Sequence, residues 1–372
     1  MRIVGVAWRG FAVPFRRPYV TSNTLATVRY GLLVFLYTDG GLAGIGEASP
    51  PVPGSERDVE NTASVVAGLA PELLGTDVPS VDVAQRVKAL RAAPWVRFGV
   101  ETALLDLKGK ATGRPVVELL GGSPGPVEVN FLIASGKAAE AVQEAREAVS
   151  MGFGTLKLKV ATGAIAEDEA LVAAVRGAVG TGVRIRVDAN GGWRVAQAIE
   201  AVRRLATYGL EYVEQPVSAG DMEGLREVRR ATSVPIAADE AIGSAEDASR
   251  LLAMDAADVL VVKAGRLGGL HSCMEVIRMG AKAGKAVVVT SSLESGVGVA
   301  ASAHLAAAVP VHLFAHGLAT GLLLTHDLAS GLRPIGALVT ILRAPGLQVA
   351  AEGGALDRYS IAVRGLAGSW PS

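Results

Sequence analysis

Lys157 and Lys159 stand two residues apart in Thr155-Leu156-Lys157-Leu158-Lys159, and three carboxylates and a further lysine follow, Asp188, Glu214, Asp239 and Lys263. The successive intervals from Asp188 are 26, 25 and 24 residues, each about the length of one strand-plus-helix unit. Each of these residues closes a short apolar run, so consecutive strands should each present one charged group at the same end. Three carboxylates converging on one rim repel one another unless a cation neutralises them. Taken singly, any of the three could be an ordinary ion-pair partner; three at unit spacing argue for a metal. All-oxygen ligation by Asp188, Glu214 and Asp239 suits a hard divalent ion, Mg²⁺ first and Mn²⁺ second.

Strand side chains repeat every second residue, so Lys157 and Lys159 face the same way, into the same mouth as the carboxylates. Two adjacent ammonium groups beside a bound cation are expected to depress each other's pKa and leave one lysine able to take a proton near neutral pH. Lys263 should enter from across the mouth, on the opposite face of a bound substrate. Asn190, two residues beyond Asp188, Ser292 and Glu294 on the loop after the seventh strand, and Ser22 near the N-terminus are the expected substrate contacts. The stretch Gly296-Val297-Gly298-Val299-Ala300-Ala301 imitates a dinucleotide fingerprint, but a lone match without a surrounding doubly wound pattern is weak. His271, His304, His312, His316 and His326 form no HExxH pair and read as structural or surface residues.

The elements that must position these groups are legible as alternating patterns. Eight short apolar strands are predicted at 127–133, 155–160, 183–188, 210–214, 235–239, 258–263, 286–291 and 311–314, separated by Ala-rich helical stretches such as 138–150 and 194–208. Parallel strands buried on both faces read this way, and eight of them fit a closed barrel better than an open sheet. Before them, residues 3–11, 28–38 and 43–47 read as strands with Asp39-Gly40-Gly41 as a turn, followed by helical periodicity up to Gly109. The predicted fold is therefore α/β, a (β/α)7β modified barrel over residues 126–320 carrying an α+β capping domain over 1–125. Residues 321–372 are expected to pack back on the capping domain, with a strand pair around Pro345-Gly346. The segments Arg16 to Thr24 and Ala48 to Ser55 are expected to cover the mouth as a lid and read the distal part of the substrate.

Half of the 372 residues are hydrophobic and 19% are charged, with a formal net charge of zero. That provides for a large core but offers no basic field for nucleic acid or an anionic membrane. Cys273 is the only cysteine, which excludes an internal disulfide or a multi-cysteine metal site and favours a reducing compartment. The N-terminal run is strand-like and interrupted by charge too early for a signal peptide, and no apolar run approaches membrane-spanning length, so a cytoplasmic location is expected.

The whole constellation resembles the enolase superfamily, specifically its muconate-lactonizing branch with a Lys-x-Lys motif. What the resemblance implies is a metal held by Asp188, Glu214 and Asp239, a base at Lys159 tuned by Lys157, and Lys263 on the opposite face. It also implies abstraction of a proton beside a carboxylate, with an enediolate stabilised by Mg²⁺. The mandelate-racemase branch would need a histidine after the seventh strand, and residues 290–298 contain none; enolase proper does not draw its base from a Lys-x-Lys strand. Residues 185–193, 211–217, 235–240 and 317–324 look like o-succinylbenzoate synthases, whereas 263–269 and 293–296 look closer to N-succinylamino-acid racemases. Dehydration of 2-succinyl-6-hydroxycyclohexadiene carboxylate is thus the first expectation, racemisation or dipeptide epimerisation the second, and muconate cycloisomerisation the third. An inactive barrel serving as a binding protein would have lost a ligand or a base, and none is missing. Relatives by this resemblance are often homo-oligomers.

Overall fold

The computed structural model describes residues 1–369. Its first three strands are β1 (Ile3–Val20), β2 (Leu25–Thr38) and β3 (Ala43–Ala48), and they form an antiparallel sheet with the last strand of the chain. Two long helices, Glu56–Leu73 and Pro94–Thr112, pack on this sheet. The first starts at Ser55, whose hydroxyl accepts from Asp58 N; the second begins with Pro94 and ends at Gly113, whose φ of 70° lets the chain turn out of the helix.

Two short strands follow, β4 (Pro126–Glu128) and β5 (Phe131–Ile133). β6 (Thr155–Lys159), β7 (Arg184–Asp188), β8 (Leu210–Glu214), β9 (Ile236–Ala238), β10 (Val259–Val262) and β11 (Ala286–Val289) then alternate with helices. β5 to β11 make one parallel sheet in sequential order. The sheet curls until its two edges meet through an eighth position. Parallel bridges Val129↔His316 and Thr290↔Gly317 join that position to both sides. The eighth position is therefore taken by His316 and Gly317 and not by the expected strand at 311–314. Val311 and Leu313 are 59% and 63% exposed, so their alternation is apolar without being core, while Ala315 to Leu318 are buried. The expected first strand also divides: β4 turns outward to pair with β13 (Leu338–Thr340), after β12 (Ala329–Gly331), and only β5 joins the barrel.

The tail differs from expectation in two respects. Besides its contacts with the capping sheet, it packs on the barrel, with Ala329–Gly331 and Val349–Ala351 against the helix Gly296–Ala307. No hairpin forms around Pro345-Gly346, because β13 is taken by β4 and β14 (Val349–Ala351) by β12. β15 (Ser360–Gly368) then runs antiparallel to β1 and completes the N-terminal sheet. No helix among the described residues is long and apolar enough to cross a membrane.

Barrel and capping sheet are joined by a buried carboxylate. Glu47, on β3, accepts from Ser295 N (3.0 Å), Ser295 Oγ (2.6 Å), Gly298 N (3.1 Å) and Ser49 Oγ (2.7 Å). It thereby caps the helix Gly296–Ala307 of the barrel, where a negative charge at the N-terminus is favourable. Replacing Glu47 by Ala would leave two buried N–H groups without acceptors, and urea unfolding should show a loss of roughly 2–4 kcal/mol. A loss within experimental error would mean that the two parts are held together by apolar packing alone.

Candidate active site

β6 to β10 each deliver one or two polar groups to the same end of the barrel. Parallel register sets Lys159 beside Asp188 and Asp188 beside Glu214. Lys157 Nζ lies 2.9 Å from Asp188 Oδ2 and 2.6 Å from Glu214 Oε1, and Lys159 Nζ lies 2.7 Å from Asp188 Oδ2 and 2.9 Å from Asn190 Oδ1. On the far side Lys263 Nζ is 2.5 Å from Asp239 Oδ2, and Arg266 Nη1 is 2.9 Å from Asp239 Oδ1. Beneath this layer Arg186 is fully buried but paired, to Glu211, Tyr212 Oη (2.7 Å) and Ala315 O (2.9 Å).

The strand ends are held in place by backbone that ordinary residues rarely adopt. Asn190 and Gln215 have φ of 45° and 39°. The Gln215 side chain repays this by accepting from Asp239 N (2.9 Å) and Ala241 N (3.1 Å) and donating to Val217 O (2.8 Å). That network ties the end of β8 to the end of β9, the two strands carrying Glu214 and Asp239.

Asp188, Glu214 and Asp239 are buried, and each offers an oxygen within 4.8 Å of the others. Burial, and next the charge of Asp188, push the Glu214 carboxyl up to about 8. Burial also acts to raise Asp188 and Asp239, but Lys157 with Lys159 and Arg266 with Lys263 outweigh it and hold these two well below the usual carboxylate range. Glu214 Oε2 is buried without a hydrogen-bond partner, and Asp239 Oδ1 has only its ion pair with Arg266. Clustered buried acids with an unpartnered oxygen and an all-oxygen donor set fit a hard divalent cation.

In the cation-free cluster the paired lysines do not push each other toward neutrality. Burial works in that direction, yet Asp188, and for Lys157 also Glu214, outweigh it and hold both ammonium groups above the ordinary lysine value. The repulsion of Lys159 by Lys157 is a smaller effect than the attraction of a shared carboxylate.

The cluster opens into a cavity of about 390 Å³. Lys157, Lys159, Lys263, Asn190 and Ser292 line it; Ser22 and Glu294 do not. Ser22 donates to Asn190 O (3.2 Å), behind the wall, and Glu294 is buried with its carboxylate turned back onto Ser292 N (2.5 Å). Both segments expected to cover the mouth do contribute, through Tyr19, Thr21 and Thr24 from one and Ser49, Pro51 and Val52 from the other. Residues that the sequence did not single out complete the lining: Trp95 on the helix Pro94–Thr112, Asn130, Glu240 and Arg266. Arg266 had a signal, since it sits one helical turn after Lys263; Trp95 had none. Tyr19 also lies under Lys159, with Nζ 5.7 Å from the ring centroid.

Residues 140–352 match the family model for enolase C-terminal domain-like proteins, and residues 4–121 match that for the N-terminal domain of mandelate racemase and muconate lactonizing enzyme. The chain belongs to the enolase superfamily, in its muconate-lactonizing subgroup. Among superfamily relatives, it is 31% identical to the L-Ala-D/L-Glu epimerase of Bacillus subtilis over 82% of this chain and 85% of that protein. It is 42% identical to the o-succinylbenzoate synthase of Thermobifida fusca over 60% of this chain and 70% of that one. The solved dipeptide epimerase of Enterococcus faecalis, complexed with Mg and the dipeptide L-Leu-L-Tyr, superposes with a TM-score of 0.87 at 28% identity, covering 94% of this chain and 100% of that one.

A superfamily member built this way should bind Mg²⁺ with a pH dependence set by its ligands. The Glu214 carboxyl is raised, so the cation-free protein carries a proton there at pH 7 that the cation must displace. The sign follows: apparent affinity rises as pH climbs toward about 8 and levels off above it. Calorimetric titration in buffers of different ionisation enthalpy should count this released proton, and an affinity flat from pH 6 to 8 would show that the Glu214 carboxyl is already ionised in the cation-free protein.

Proposed function

We propose that this chain removes the proton beside a substrate carboxylate and acts as an o-succinylbenzoate synthase, dehydrating 2-succinyl-6-hydroxycyclohexadiene carboxylate. Asp188, Glu214 and Asp239 would hold Mg²⁺. When bound, the cation polarises the substrate carboxylate and cancels the carboxylate charge that keeps Lys159 protonated.

In this reading Lys159, neutral at the moment of reaction, takes the α-proton on its Nζ. Lys157, locked between Asp188 and Glu214, keeps its charge and contacts the substrate carboxylate. Lys263 faces the substrate from the opposite side and stabilises the negative charge that develops on the carboxylate oxygens. The C–O bond then breaks with its electron pair leaving on oxygen, and Lys159 returns its proton to the departing hydroxide. Water and the aromatic acid result, with Lys159 neutral again. Asn190, bonded to both Lys159 and Glu240, holds the base in line.

The observation that carries the reading is the charge inventory of the cavity. Its ionic lining is Lys157, Lys159, Lys263 and Arg266 against one carboxylate, Glu240, which lies beside the triad and accepts from Asn190. The distal wall, from Tyr19, Thr21, Thr24, Val52 and Trp95, is uncharged. A free dipeptide carries an ammonium group at its far end, where a succinylated acid carries a second carboxylate, and a cavity lined by four cations and one carboxylate favours the added negative charge over the positive one. The higher identity to the Thermobifida fusca synthase supports the same choice.

A second reading has its own support. Lys159 ends β6 and Lys263 follows β10, four strands away in the curled sheet, so two amines flank the substrate. That arrangement also serves racemisation of an N-succinylamino acid, one lysine removing a proton and the other returning one. Incubation with Mg²⁺ in D₂O separates the two. Product absorbance from the dehydration substrate supports the synthase, whereas α-deuteration with inversion of succinylated amino acids, without dehydration, replaces it by the racemase. In either case Lys159→Ala should lower turnover by about 10³-fold or more while Mg²⁺ binding persists. Turnover retained in that variant would remove Lys159 from the role of base.

A further inference from the structure

The segment that carries Lys263 into its helix is anchored from outside the barrel. After Lys263 the chain makes a single helical turn, Ala264–Leu267, and passes through Gly268 and Gly269, with φ of 81° and 137°, into the helix Leu270–Lys282. Gly269 stands at the cap position of that helix and has no side chain to fill it. Glu101, from the helix Pro94–Thr112, fills it instead. Its carboxylate accepts from Leu270 N and from His271 N (3.3 Å), and its Oε1 lies 2.6 Å from His271 Nδ1.

Both glycines adopt a positive φ that residues with a side chain rarely take, and a Cβ on Gly269 would meet the Glu101 carboxylate and one on Gly268 the Arg97 guanidinium, from the same helix. Glu101 is only 1% exposed, so its charge is committed to the helix terminus and not to solvent. The same helix begins at the cavity, where Pro94 and Trp95 form part of the wall. One rigid element thus supplies both a surface against the distal part of the substrate and the anchor of the segment holding Lys263 and Arg266.

We propose that Glu101 is a positioning residue for the reaction: by capping the helix Leu270–Lys282 it fixes the 263–269 segment so that Lys263 and Arg266 meet Asp239 and the substrate. The inference rests on the assignment of Lys263 to the second face of the substrate. Glu101 touches no reacting atom, so its effect must pass through that segment.

The test uses the full chain with Mg²⁺ and compares wild type with Glu101→Gln, which keeps the shape but replaces one acceptor oxygen by a donor. Backbone amide exchange followed by mass spectrometry should speed up by about tenfold within 264–275 and stay unchanged in 155–190. Turnover of the dehydration substrate should fall about tenfold in kcat with KM within about twofold, as expected when a catalytic group is misplaced rather than lost. Faster exchange spread evenly over the barrel, no change in 264–275, or a loosened segment with unaltered kcat would each overturn the proposal. Should Glu101→Gln fail to fold, His271→Asn removes one Glu101 partner and must loosen the same segment alone. Wild-type protein inactive on the dehydration substrate overturns the proposed reaction, whereas the exchange comparison judges the anchor by itself.

Discussion

The constraint on which the rest depends is the convergence of Asp188, Glu214 and Asp239 within 4.8 Å inside a water-poor barrel mouth. Buried like charges at this spacing are tolerated only when cations surround them. The chain supplies four, Lys157, Lys159, Lys263 and Arg266, each within 2.9 Å of at least one of the three acids. The arrangement is near electrical balance by itself and still leaves Glu214 with a raised pKa and an unpartnered oxygen. Residual electrostatic cost of this kind is what a divalent ion relieves on binding, and it is also why the lysines around it are strongly protonated while the acids are free to hold them.

Parallel register turns this local requirement into a rule for the fold. Lys159 meets Asp188 because β6 and β7 are in register, and Glu214 meets Asp188 because β8 continues it. A slip of one residue in any of these strands would send its charged group outward and its apolar neighbour into the mouth. The site therefore fixes the strand register as firmly as the apolar core does. The strained backbone at Asn190 and Gln215 lies where this precision is needed, with Gln215 bonded to the next strand end.

What the sequence made legible follows the same logic. The charged strand ends could be read because burial forces each barrel strand into a short apolar run that a polar residue terminates, so spacing alone located them. The eighth position could not, since Val311 and Leu313 are apolar and exposed, and the closing contacts are single bridges through His316 and Gly317 with no strand pattern. Glu294 looked available because its loop reaches the mouth, but a loop carboxylate can as easily fold onto its own backbone, as its bond from Ser292 N shows. Trp95 and Glu101 were invisible for a related reason. Their place in the site is set by how one domain lies on another, and no local period encodes that.

The two parts of the molecule divide the work unequally. Every charged group that could move a proton or hold the cation comes from the barrel, and most of the distal wall comes from the capping region. Yet the capping region is more than a cover, because Glu47 and Glu101 each enter the N-terminus of a barrel helix, those following β11 and β10. These are the helices whose preceding loops carry Ser291, Ser292, Lys263 and Arg266 into the cavity. The side of the barrel bearing Lys157, Lys159 and Asp188 has its own strand-to-strand network, whereas the Lys263 side is braced from outside. Substitutions in the capping region can therefore alter the second face of the reaction without touching the first. A lyase needs only stabilisation from that second face, and a racemase needs a base there. Lys263 in one position can serve either role, so what would separate the two chemistries on this scaffold is the substrate that the capping region's share of the wall admits.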